Sequence, residues 1–304
     1  MTCASSVRQL ARRLGVVVLG TLVAAALAPG PTSSAAPVRP SPARAYQDVP
    51  ALYETNCVVS VTGRGFKTCP FGDERGRKTV VLVGDSKAAQ WFTPMDRIAK
   101  AQGWRLVVIL KNGCSFARVS RPEDGKRDRS CEEWGARALR TIKRMRPEVV
   151  VPVTRWSSGL PLGVASGQPT EEAMVRGLTA YWRQILRTGA RLSPILDTPG
   201  PPSGDAPACV RKNRSRPARC AFPKAAAVAL SGASAAREAA RRMKQVEAID
   251  MTRHMCRGSK CAAVIGGILV YRGGSHISDT YAGSRTRALL RALHRTTDGR
   301  LGRR

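Results

Sequence analysis

The chain has 304 residues, 43 % of them apolar, enough for a real core in one large or two modest domains. Its formal net charge is +30, with basic residues scattered rather than gathered in one block and aromatics at only 5 %. Such a charge is either carried on solvated faces or gives affinity for polyanions: envelope polymers, lipid head groups or nucleic acid. A single-strand nucleic-acid binder is disfavoured, because no basic stretch is interleaved with aromatics.

Arg8, Arg12 and Arg13 precede an apolar run from Leu14 to Ala28, followed by a Pro-rich stretch with small residues Ser33, Ala35 and Ala36. That layout predicts a signal peptide over residues 1–35, cleaved near 35/36. The run is shorter than a membrane-spanning helix requires, and an uncleaved anchor is the competing reading. Arg12-Arg13 alone is a weak twin-arginine signal. Residues 36–49 are expected as a flexible Pro/Ala/Ser-rich leader, 50–297 as one domain and 298–304 as a basic tail.

Short apolar runs predict strands at Val80–Val83, Leu106–Leu110, Val149–Val153, Pro194–Asp197 and Val246–Asp250, with Ile268–Tyr271 a late extended segment. Helical patterns fall between them: Ala88–Gln102, Glu132–Arg144, Glu171–Thr188 and Lys224–Lys244, with Tyr281–His294 as a closing helix. The alternation predicts an α/β fold, a three-layer α/β/α sandwich with a mostly parallel sheet. Thr198–Arg219, rich in Pro and Gly, reads as a long loop.

Cys3 leaves with the signal, so eight of the nine cysteines remain. An even set suggests four disulfides and an oxidising compartment, hence a secreted or envelope-associated protein. Sequence leaves the pairing open. Short loop closure favours Cys57–Cys69, Cys114–Cys131, Cys209–Cys220 and Cys256–Cys261. A zinc site lacks CxxC spacing and has only three histidines to draw on, so no metal is expected.

The chemistry centres on Val80-Val-Leu-Val-Gly-Asp-Ser86. A buried strand closed by Gly84 and followed by a helical pattern places Ser86 on a turn at the carboxyl edge of the sheet. A serine there, with its N–H at a helix N-terminus, suits a nucleophile whose oxyanion needs nearby donors. Asp85 fits a helix cap. Lys87, next along, is expected on the surface, although its charge or basicity near the site is the other reading. Trp91 and Trp156 read equally as core or pocket wall. His254 is expected in a loop and His294 in solvent.

These residues, with Lys111-Asn112-Gly113-Cys114, Val149–Val151 leading to Trp156, Asp197-Thr198-Pro199, Ile249-Asp250-Met251 and Tyr271-Arg272-x-x-x-His276, make an ordered set of blocks over roughly residues 50–295. The set resembles the SGNH (GDSL-type) hydrolase superfamily, closest to the SGNH domain fused to membrane O-acyltransferases of the acyltransferase-3 class. The resemblance implies a flavodoxin-like SGNH fold, Ser86 as nucleophile and His276 as base. It also implies the N–H groups of Ser86 and Gly113 as oxyanion donors; for Gly113 a plain turn glycine is the other reading. The orienting aspartate expected three residues before the histidine is replaced by Gly273, and Asp279 is the candidate substitute, with a helix-dipole role as its alternative. The family's third-block Asn is missing from Val153-Thr154-Arg155-Trp156.

The expectation is an exported esterase or O-acyltransferase acting on acyl, chiefly acetyl, esters of cell-envelope glycans, with no cofactor. The acyl source would be a ready-made ester or a separate membrane acyltransferase. The competing expectation is a weak or inactive SGNH pseudoenzyme that binds acylated or anionic envelope polymers.

Overall fold

The computed structural model describes residues 37–123, 126–164, 167–297, 299 and 301. The predicted signal peptide, and with it any anchoring by that segment, lies outside the described residues. No helix among those residues is long and apolar enough to cross a membrane.

A six-stranded sheet forms the middle layer. In chain order its strands are β1 (Val58–Val59), β2 (Cys69–Gly72), β3 (Lys78–Gly84), β4 (Trp104–Lys111), β5 (Val149–Val153) and β6 (Arg191–Leu192). They lie in the order β1-β4-β3-β5-β6, all parallel, and β2 adds antiparallel to the same edge of β4 that β1 occupies further along. The apolar runs alternate between the two faces, as a pleated strand buried on both sides must. Val80, Leu82, Leu106, Val108, Val149 and Val151 join one core layer, whereas Val81, Val83, Val107, Ile109 and Val150 join the other.

Helices α1 (Ser86–Ala89) and α2 (Phe92–Gln102) cover the first face together with α8 (Asp279–Ser284) and α9 (Thr286–Thr296). The second face is covered by α3 (Arg129–Met145), α4 (Glu171–Leu186) and α7 (Ala233–Arg241), while α5 (Ala206–Lys212) and α6 (Lys224–Ala229) lie on connections. The three-layer α/β sandwich with a mostly parallel sheet is therefore the fold.

Several predicted elements are subdivided, for local reasons. The pattern Ala88–Gln102 breaks between α1 and α2 because Pro94 has no N–H for the Gln90 carbonyl and its ring would clash with it. The pattern Lys224–Lys244 breaks at Ser231–Gly232, where the Ser231 hydroxyl accepts from Ala233 N and Gly232 N turns to Asp197 Oδ2 at 3.1 Å. The segment Pro194–Asp197 runs beside β5 and makes only a bridge, Ile195 to Ile249, because Pro152 and Pro194 remove ladder donors. Thr198–Arg219 is not purely a loop, since Asp205 caps α5 through Ala208 N. The late extended segment resolves into two hairpins; the second pairs β7 (Tyr271–Gly273) with β8 (His276–Ile277).

The leader requires correction. From residue 38 onward it is packed against the domain instead of flexible. Arg39 bonds Gly267 and Leu269 through its backbone, Ala45 is fully buried, and Asp48 accepts from Asp279 N and from Thr280. Of the predicted tail, Leu301 is buried.

Four disulfides join Cys57–Cys69, Cys114–Cys131, Cys209–Cys220 and Cys256–Cys261. Cys114, Asp128 and Cys131 come together as metal ligands would, but both sulfurs are spent in a disulfide. Cys114–Cys131 spans 17 residues and pins the turn after β4 to the start of α3. Replacing both cysteines by serine is expected to cost about 3 kcal/mol in urea unfolding; an unchanged midpoint would show that the turn holds without it.

Candidate active site

Ser86 opens α1 directly beyond the carboxyl end of β3. The turn that carries it is held from both sides. At Gly84, φ is +146° and an added Cβ would lie 2.0 Å from the Val153 carbonyl oxygen, so only glycine allows β3 to pass β5 this closely. Asp85 then fixes the turn: Oδ1 accepts from Lys87 N at 2.8 Å, capping α1, and Oδ2 accepts from Arg155 N at 2.8 Å. Complete burial pushes the Asp85 carboxyl up to about 7 against the pull of these two bonds.

The hairpin β7–β8 brings His276 across from Ser86, and Nε2 lies 2.9 Å from Ser86 Oγ. Both side chains are half-buried. The two residues are 190 positions apart in sequence. The imidazole is held far below its ordinary range, at about 3, by burial first and then by the charges of Lys87, Arg272 and Arg155. A base must be neutral to accept a proton, so a depressed value moves the acid limb of activity downward. Ester hydrolysis is therefore expected to hold its kcat/KM from pH 7.5 to 5.5, where a histidine titrating near 6.5 would lose about tenfold. A pH–rate profile with its limb at 6.5 would contradict this electrostatic picture.

No carboxylate among the described residues forms a hydrogen bond or ion pair with His276, whose ring bonds Ser86 Oγ. Gly273 is its partner across the hairpin, and an added Cβ there would meet the ring of Tyr46 at 2.2 Å, so the leader fills the slot of the expected aspartate. Asp279 does not substitute. Its carboxyl interacts with Thr93, Asp48 and Arg97 at the start of α8.

Lys87 was expected on the surface and is instead buried. Its Nζ forms an ion pair with Asp197 Oδ1 at 2.9 Å, with the two side chains 0 % and 2 % exposed, and donates to Ser275 O at 2.6 Å. Adjacent Thr198 receives Lys87 Nζ and Gln90 Nε2, and Gln90 Oε1 accepts from Ile277 N. Lys87 and Gln90 thus bracket His276 through its two chain neighbours, Ser275 and Ile277. The block Asp197-Thr198-Pro199 carries no such part in the sequence pattern alone. The available signal was Asp197 at the end of an apolar run, on the same sheet edge as Ser86.

On the opposite side lies the turn Asn112–Gly113 after β4. Trp156 Nε1 donates to Gly113 O at 2.9 Å, and Tyr53 Oη donates to Asn112 Oδ1 at 3.4 Å. The N–H groups of Ser86 and Gly113 meet no acceptor among the described residues. Thr154, in the run that lacks the family's Asn, shares a hydrogen bond with Ser115. Trp91 is core, fully buried. His294 lies edge-on to Trp104, 6.1 Å between centroids and at the opposite end of β4, while His254 adjoins Arg253 in a helical turn.

This arrangement offers a hydroxyl against an imidazole held neutral by its surroundings, and two N–H donors that are idle among the described residues. Residues 56–289 match the family described as the SGNH domain fused to AT3 domains. Among solved structures, the periplasmic domain of a lipopolysaccharide acetyltransferase of Salmonella Paratyphi A superposes with a TM-score of 0.52 at 16 % identity, covering 73 % of this chain and 86 % of that one. An assigned acylhydrolase of Bacteroides fragilis gives a TM-score of 0.43 at 14 % identity, over 73 % of this chain and 89 % of that one. No curated protein matches the sequence.

Proposed function

Because the chain belongs to the family of SGNH domains found fused to AT3 domains, we propose that it is an exported esterase or O-acyltransferase acting on acyl esters of cell-envelope glycans. The observation that carries this reading is the 2.9 Å contact between Ser86 Oγ and His276 Nε2 at the carboxyl edge of the sheet. Export is supported by the four disulfides, which belong to oxidising compartments.

In the proposed reaction Ser86 Oγ attacks the acyl carbonyl carbon and its proton passes to His276 Nε2. The negative charge that develops on the carbonyl oxygen falls to the N–H groups of Ser86 and Gly113. Collapse breaks the ester C–O bond, and the departing alcohol takes the proton from His276. Water, deprotonated by His276, then attacks acyl-Ser86, and as the Oγ–acyl bond breaks His276 returns the proton to Ser86 Oγ and the acid leaves; a glycan hydroxyl in place of water makes a new ester. A ready-made ester or a separate membrane acyltransferase would supply the acyl group.

The test is hydrolysis of p-nitrophenyl acetate by the purified protein beside Ser86→Ala. The expected result is a loss of at least about 10³-fold in kcat/KM, as when a serine nucleophile is removed elsewhere. Equal rates in the two proteins would overturn the reading. The lack of a carboxylate at His276 favours one second reading, a domain that binds acylated or anionic envelope polymers without cleaving them. Salt-sensitive polymer binding with no Ser86-dependent hydrolysis would establish that alternative.

A further inference from the structure

The charges of Lys87, Arg272 and Arg155 all reach His276, and the three cations are not equivalent. Lys87 is neutralised by Asp197 inside the protein. Arg272 and Arg155 are not paired with any carboxylate among the described residues. Arg272 lies on β7, whose strand partner carries His276, and is half-buried. Its Nε is buried and makes no hydrogen bond. Asp48 is the acid that its charge reaches, and that carboxylate is already engaged by Thr280 N and Oγ1. On the other flank, the Arg155 N–H is tied to Asp85, the residue before the nucleophile. Its exposed guanidinium lies over the Trp156 ring, 5.0 Å from the centroid.

A guanidinium held partly out of water without a counter-ion costs free energy that an incoming anion offsets. Its planar fork suits the two oxygens of a carboxylate or phosphate. Several other arginines are committed to carboxylates: Arg121 to Asp128, Arg127 to Glu132, and Arg242 to Glu172 and Glu238.

We propose that Arg272 and Arg155 form an anion-recognition site beside Ser86, so that the ester handled here belongs to a sugar bearing a carboxylate or phosphate. This deepens the esterase or acyltransferase reading and rests on it. The anion docks between the two guanidiniums and holds the neighbouring acyl carbonyl against Ser86 Oγ. A neutral acyl sugar lacks this anchor.

The test compares three methyl glycosides acetylated at the same ring hydroxyl: the glucoside, the glucuronoside and the glucoside 6-phosphate. At least one anionic ester is expected to exceed the neutral one by about tenfold or more in kcat/KM, the gain typical of charge-assisted hydrogen bonds. Which one does so distinguishes carboxylate from phosphate. The ratio of anionic to neutral turnover should fall to within about threefold of unity in Arg272→Gln and lie between the two in Arg272→Lys, which keeps charge without the fork. A neutral ester turned over as fast as both anionic ones, or a preference that survives Arg272→Gln with Arg155→Gln, would overturn the proposal. Should no ester be cleaved, the reading of the site as an enzyme fails separately. The three glycosides are then titrated calorimetrically into the Ser86→Ala protein. Anion-selective binding lost in Arg272→Gln supports the proposal, and equal or undetectable binding of all three overturns it.

Discussion

Replacing Asp197 by alanine is expected to destabilise the protein by about 3–5 kcal/mol, the cost of stranding a buried charge. Lys87 and Asp197 are 0 % and 2 % exposed and 2.9 Å apart. Without the carboxylate, Lys87 Nζ keeps only the Ser275 carbonyl and the Thr198 hydroxyl. Two backbone donors, Thr198 N and Gly232 N, also lose their acceptor. Lys87→Met alone strands the opposite charge. The pair Lys87→Met with Asp197→Ala should recover part of the loss, because no uncompensated ion remains. Urea unfolding at constant m measures all three. A loss under about 1 kcal/mol for Asp197→Ala would place the pair among weakly contributing surface bridges. Activity should fall with stability, since Ser275 precedes the histidine and its carbonyl is held by Lys87.

The second large effect concerns Gly273. Restoring an aspartate there places a carboxyl on the hairpin face of His276, because directly paired residues of an antiparallel ladder share a face. In the best-studied serine triad, losing that carboxylate costs about 10⁴ in rate with the geometry intact. The single change Gly273→Asp collides with the Tyr46 ring, 2.2 Å from the new Cβ. Tyr46 is 60 % exposed and can be removed cheaply. Tyr46→Ala with Gly273→Asp is therefore expected to raise kcat/KM on p-nitrophenyl acetate at least about tenfold, with 10⁴ as the ceiling. The gain should exceed that of Gly273→Asp alone. The added negative charge should also raise the His276 pKa and move the acid limb toward neutrality. A double variant no faster than the parent would mean that position 273 does not address the imidazole.

The strands that carry the site were legible because they are buried on both faces. Val80–Val83, Leu106–Leu110 and Val149–Val153 are apolar runs that nothing but a central parallel strand explains, and their ends sit within two residues of the observed ones. Ser86 and His276 were legible because a strand–Gly–Asp–Ser turn and a late histidine before a closing helix are local patterns. Lys87 was misjudged because pointing away from Ser86 on a helix was equated with reaching solvent. Helix α1 is covered on several sides, with Lys87, Ala88 and Ala89 all buried, so a different direction leads to Asp197 instead of water.

Tyr46, Tyr53 and Arg272 belong to contacts made across distant parts of the chain, which no local spacing announces. The leader was misread for a related reason. Pro, Ala and Ser suggest flexibility, but burial of Ala45 and the bonds of Asp48 are supplied by the far end of the chain. The subdivided helices followed from single residues, Pro94 and the Gly232 donor, whose effects depend on what the neighbouring segment presents.

The proposed chemistry needs a nucleophilic Ser86 served by His276 without a carboxylate. The most direct measurement is fluorophosphonate labelling of the purified protein, with the adduct mapped by peptide mass spectrometry in wild type, Ser86→Ala and His276→Ala. The predicted result is one adduct, on Ser86, absent from Ser86→Ala and at least about 10²-fold slower to form in His276→Ala. Labelling of another residue, or of Ser86 at an unchanged rate without His276, would contradict it.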